Sequence, residues 1–184
     1  MNRKKRAAFE DRVTSIVRQI VQAPSVPVEM IAANIGAEIR YEPAEDNVSG
    51  MVWRSRGRAV IGVNSLHSRT RKRFTIAHEV AHLILHDDET FHIHEGYALI
   101  GRRDDDASRG VYQKEIEANY FGAALLMPKP FLQRDADVLR LQFDFESDDA
   151  LRTLARRYEV SQQAMTIRLL EVFGISLSGA IPRV

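Results

Sequence analysis

His78, Glu79 and His82 form a His-Glu-x-x-His pattern, and all six histidines of the chain fall between His67 and His94. On an α-helix, residues four apart lie almost on one line, about 6 Å along the axis. Two imidazoles on that line can hold one zinc ion, while the intervening glutamate sits beside a water that the ion activates and can serve as general base. The chemistry suggested is metal-assisted hydrolysis. His86 is four residues further on, but three histidines at i, i+4 and i+8 span about 12 Å, too far to meet at one ion. It is better suited to the last carbonyls of its helix.

The third ligand must come from elsewhere. The chain has no cysteine, so only His, Asp or Glu can supply it. In Glu115-Ile116-Glu117-Ala118-Asn119, Glu115 and Asn119 share a face that continues through Gly122 to Leu126. Glycine inside a helix costs about 1 kcal/mol relative to alanine and suggests close approach by a neighbour, here the histidine helix. Glu115 is therefore the leading third ligand, and Asn119 a residue that could orient a ligating imidazole. Glu117, some 200° around the helix by roughly 100° per residue, and a residue of the preceding loop remain alternatives. A solvated acidic first turn fits Glu117 better than a metal site.

These residues need elements to hold them. Helical periodicity runs from about Ala7 to Val21 and from Val28 to Ile35, where Gly36 can cap. Three strands are expected at Glu38 to Tyr41, Gly50 to Arg54 and Arg58 to Val63, the last two joined by a turn containing Gly57. Ser68 can cap the histidine helix, about Arg69 to His86. No sustained periodicity is visible from Asp87 to Gly110, a long connection that is either solvated surface, as Arg102 to Asp106 suggests, or a lid. Helix returns from about Tyr112 to Met127 and stops at Pro128-Lys129-Pro130; two more helices follow, Asp148 to Tyr158 and Ser161 to Phe173. The fold class is α+β: a minimal zincin-like domain with a small, mainly antiparallel three-stranded sheet, the active-site helix, and a helix-turn-helix-like tail. The expected division is 1–130 for the metallopeptidase domain and 131–184 for the helical tail packed on it.

Composition narrows the function. A 45% apolar content supports a real core, and a net charge of +1 argues against a dedicated nucleic-acid binder. Charged residues interrupt the N-terminus where a signal peptide needs an apolar run, and no stretch is long enough to span a membrane, so a cytoplasmic address is expected.

The segment from Arg73 to His86 resembles the signature helix of the ImmA/IrrE metallopeptidases, and Glu115 to Pro128 resembles their second motif. The resemblance extends to Val26–Ile35, the Ser49-Gly50 strand and the tail around Leu154 to Leu170. It implies a gluzincin-like site with ligands His78, His82 and Glu115 and catalytic Glu79. It also implies a protease that cuts a helix-turn-helix repressor and so relieves repression. The sensory domain that some relatives carry after the tail is not expected, because the sequence stops at Val184. Zn2+ is the expected cofactor, with Mn2+ or another divalent metal able to replace it in vitro. Oxyanion donors could come from His92, His94, Tyr97 or Tyr112, which the sequence does not rank. Two other functions compete: a DNA-binding helix-turn-helix regulator with a vestigial metal site, and a hydrolase of small molecules. Ser161-Gln162-Gln163 at the start of the last helix is a weak DNA-reading signal, which favours the enzyme.

Overall fold

Phe9, Val13 and Val17, spaced four apart, form the buried stripe of the first helix, α1 (Arg3–Ile20), which lies against the rest of the chain through them. The structure is a computed structural model that describes residues 1–20, 23–55, 57–86, 91–95, 106–140 and 148–174. Pro27 stands at the entry to α2 (Val28–Asn34), and Gly36 follows with φ of 79°, the left-handed conformation glycine adopts without strain.

Three strands appear as expected: β1 (Ala37–Glu42), β2 (Val48–Ser55) and β3 (Arg58–Asn64). Gly57, at φ 75°, makes the β2–β3 turn. A fourth strand, β4 (Phe91–Glu95), joins them, giving the order β1-β3-β2-β4. It falls in the stretch that showed no sustained pattern, because five residues with two histidines carry too short an alternation to stand out. The β2–β3 and β2–β4 pairs are antiparallel and β1–β3 is parallel, so the sheet is mainly antiparallel. A register shift between Val48 and Gly50 leaves Ser49 at an irregularity in β2.

The histidine helix α3 (Arg69–Leu85) begins at Ser68, whose side chain accepts a hydrogen bond from the Arg71 amide. One side of α3 meets the sheet and another packs along α4 (Asp106–Leu126), the most extensive contact between any two elements. Pro128 follows α4, and a helix that the sequence pattern does not announce, α5 (Lys129–Arg140), starts at once. Pro130 belongs to the expected stop, yet it occupies the first turn of α5, where a missing N–H costs nothing.

The chain continues through α6 (Asp148–Tyr158) and α7 (Gln162–Phe173), the latter capped by Ser161 and closed by Gly174 at φ 65°. Arg168 of α7 is fully buried and ties three helices together. It donates to the Met127 carbonyl at the end of α4, to Glu10 of α1 at 2.9 Å, and lies 3.7 Å from Glu171. The fold class is thus the expected α+β. Among the described residues no helix is long and apolar enough to cross a membrane.

Candidate metal centre

On α3, His78 and His82 are one turn apart and both are buried, as is Glu115 on α4. The Nε2 atoms of the two histidines are 3.1 Å apart. One Glu115 carboxylate oxygen lies 3.1 Å from His82 Nε2 and the other 3.4 Å from His78 Nε2. Four ligands on arms of about 2.0–2.1 Å around a tetrahedral ion stand roughly 3.3–3.4 Å from one another. The observed spacing matches that figure, so the three donors fit a divalent cation. Two imidazoles and a carboxylate are also a donor set such ions prefer, and three polar groups brought together inside a core call for a common partner. Among the described residues this is the one group of three or more such side chains arranged to hold a metal. His86 is outside it; its amide caps the helix by donating to the His82 carbonyl, and its ring lies 5.4 Å from the His82 ring.

Two glycines set the depth of the site. A Cβ on Gly122 would lie 3.1 Å from the His78 amide nitrogen and 3.2 Å from the carbonyl group of Ala77. The glycine that marked a close approach in the sequence therefore lies where α4 touches the backbone of α3. On the opposite side of α3, a Cβ on Gly50 of β2 would lie 2.4 Å from Thr75 Cγ2, 2.9 Å from the Gly62 carbonyl oxygen and 3.3 Å from Glu79 Oε1. Glu79, with no exposed surface, thus sits close to the backbone of β2 at a point where Thr75 and the Gly62 carbonyl leave no room for a Cβ. The sequence places Gly50 at the start of a strand without predicting this contact, although a glycine in a strand is a usable sign of close packing.

Asn119 lies one turn beyond Glu115, but no hydrogen bond joins it to either imidazole; its buried Oδ1 has no hydrogen-bond partner among the described residues. Glu117 faces away from the donors. Instead of being solvated it is buried, paired with Lys5 of α1 and accepting 2.7 Å from Gln113. Burial pushes its carboxyl up, but those hydrogen bonds and the Lys5 charge prevail and hold it below the usual range.

The basic cluster at the start of α3 finds partners too. Arg69 donates to Glu159 at 2.8 Å, Arg73 lies 3.5 Å from the same carboxylate and donates to the Val26 carbonyl, and Arg71 donates to Ser49 Oγ at 3.0 Å. Glu159 is the residue the sequence could not flag: it bends the chain between α6 and α7 at φ 53° and also accepts from Ser25.

Of the unranked oxyanion candidates, Tyr112 is exposed. The β4 register sets His94 opposite Gly50 and His92 opposite Val52, while Tyr97 lies outside the described residues. So does most of the segment considered as a lid, 87–90 and 96–105.

Comparison with known proteins adds to this geometry. The model of a peptidase family described as the IrrE N-terminal-like domain matches residues 32–170, which include every donor above. The radiation response metalloprotease IrrE of Deinococcus radiodurans is 34% identical over 132 residues, covering 67% of this chain and 36% of its own length. A transcriptional regulator of Mycobacterium tuberculosis shares the fold, with a TM-score of 0.58 at 19% identity over 92% of this chain and 47% of that one. The chain therefore spans about a third of the curated relative and about half of the solved one.

Proposed function

The chain belongs to the IrrE N-terminal-like family of peptidases, and from that premise we propose that it is a zinc-dependent endopeptidase with His78, His82 and Glu115 as metal ligands and Glu79 as general base. The observation that carries this reading is the convergence of three buried donors within 4.8 Å of one another, with Glu79 next to one of them on the same helix. Zinc, when bound, supplies a Lewis acid for the scissile carbonyl and an acidified water as nucleophile. Glu79 takes the proton of the attacking water and returns it to the departing amine. That carboxylate lies close to the Gly50 backbone, where a Cβ would stand 3.3 Å from Oε1. Manganese or another divalent ion can substitute in vitro.

The substrate in this reading is a protein in the cytoplasm, and specifically a helix-turn-helix repressor, as the likeness of the two motifs to the ImmA/IrrE signature suggests. Residues 1–130 carry the metallopeptidase and 131–184 the helical tail. The tail is tied into the rest of the fold: Arg168 of α7 is fully buried and bonds α1 and the end of α4.

The test is incubation of the zinc-loaded protein with helix-turn-helix repressors of its own organism and with a degenerate peptide mixture. Cleavage by the intact protein that disappears on chelation and in Glu79→Gln is the expected result. Cleavage that survives both treatments would overturn the assignment.

A further inference from the structure

A cavity of about 700 Å3 opens between the first half of α3, the second half of α4 and α7. Phe74, Ile116, Ala123, Ala164 and Ile167 give it apolar walls, and Asn119 is among its lining residues. Its position relative to the donors follows from the two helices. Gly122 meets Ala77 and His78 while Glu115 meets His78 and His82, so α3 and α4 run antiparallel. One turn before His78 and one turn after Glu115 are therefore on the same side of the metal centre. Phe74 and Asn119 occupy those two places, each about 6 Å along its helix from a donor. Phe74 also stacks on the His78 ring with centroids 6.4 Å apart. An extended peptide advances about 3.3 Å per residue, so one or two residues match the separation between the donors and this cavity.

Charged groups stand at its edge: Arg71 donates to Ser49, Arg6 lies over the Tyr120 ring at 5.4 Å, and Glu171 is 3.7 Å from Arg168. A charged substrate side chain entering between the apolar walls would lose its hydration. The buried Oδ1 of Asn119 has no hydrogen-bond partner among the described residues.

We propose that this cavity is the specificity pocket of the peptidase, taking a large apolar side chain of the leucine, methionine or phenylalanine type within two residues of the scissile bond, with the Asn119 carboxamide hydrogen-bonding the adjacent peptide backbone. The proposal rests on the peptidase reading above and extends it: α7 becomes a wall of the substrate site.

The experiment has two arms, both on the full zinc-loaded chain. In the first, methyl NMR follows Ile116, Ala123, Ala164 and Ile167 during titration with acetyl-leucinamide, acetyl-phenylalaninamide and acetyl-aspartamide. Saturable shifts with the two apolar probes and none with the acidic one are expected; no shift at these methyls overturns the proposal. In the second arm, fragments of a degenerate peptide mixture are sequenced. Leucine, methionine and phenylalanine are expected to exceed aspartate and glutamate about tenfold at one fixed position within two residues of the cut. Ala123→Phe, which fills the cavity, and Ile167→Glu, which adds a charge at a half-exposed wall, should each remove most of that preference with zinc content unchanged. Ile167→Glu is the safer variant for folding. Cleavage without a flanking preference, or a preference that survives in both variants, overturns the pocket and leaves the peptidase standing. If the wild type cuts no peptide, the peptidase reading fails, and the NMR titration alone decides whether the cavity takes apolar side chains.

Discussion

Gly122 and His78 are in backbone contact across the α3–α4 interface: a methyl group on Gly122 would lie 3.1 Å from the His78 amide nitrogen. Both neighbours are helical backbone, which cannot rotate out of the way, so a larger residue must separate the helices that carry the three donors. Gly122→Ala gains about 1 kcal/mol of helix propensity, which offsets the crowding, so its melting temperature should change little. Its zinc affinity should nevertheless fall about tenfold in competition with a chelating dye, as when a supporting contact of a metal ligand is lost. Gly122→Val should lower both.

Gly50→Ala tests the other side of α3. Its Cβ would collide with Thr75 Cγ2 and the Gly62 carbonyl oxygen. Overpacking of this kind costs about 1–3 kcal/mol, read as a lower midpoint in urea unfolding. Adding Thr75→Ser removes the colliding methyl and should recover part of the loss. The carbonyl contact remains, so recovery should be incomplete.

Glu79 and Glu115 should separate cleanly. Glu79→Gln is expected to keep its zinc and to lose about 10²–10⁴-fold in peptide cleavage. Glu115→Ala should lose the metal. Zinc at a hundredfold excess over its dissociation constant stabilises a folded protein by about 2.7 kcal/mol, and that increment should be nearly absent in Glu115→Ala when melting is followed with and without zinc.

The metal centre was legible because its signals are local. His78, Glu79 and His82 declare themselves within five residues, and Gly122 marks a contact that any larger side chain would block. β4 was not legible, since its five residues become a strand only by pairing with β2. Pro130 misled because proline ends a helix in the interior and is welcome in its first turn, and only context distinguishes the two. The Lys5–Glu117 and Arg69–Glu159 pairs join residues far apart in the chain, and no periodicity announces such partners. Asn119 shows a subtler case: the spacing that set it beside Glu115 was informative, but spacing does not say which hydrogen bond a carboxamide makes.

Glu159 supplies a pH test. Burial pushes its carboxyl up, but hydrogen bonds from Ser25 and Arg69 and the Arg73 charge outweigh that and hold it below the usual range. A carboxyl depressed in the folded state contributes stability that is complete above its unfolded pKa and lost as pH falls through the folded one. Melting temperatures of the wild type and Glu159→Gln should therefore differ at neutral pH and converge as the pH drops below about 4.3. A gap that stays constant down to pH about 3 would show that the ion pairs with α3 contribute nothing.

Arg168 bears on the order in which the protein can become active. Its guanidinium bonds Glu10 across 158 positions of sequence and also grips the end of α4. During synthesis the ribosome releases the histidines, Glu115 and both glycines well before Arg168 emerges. Until it does, α1 and α4 are held by direct contacts such as Lys5–Glu117 but without the Arg168 guanidinium, and the α7 wall of the cavity has not been made. A growing chain can thus hold every candidate metal donor before the helix that completes their surroundings has left the ribosome.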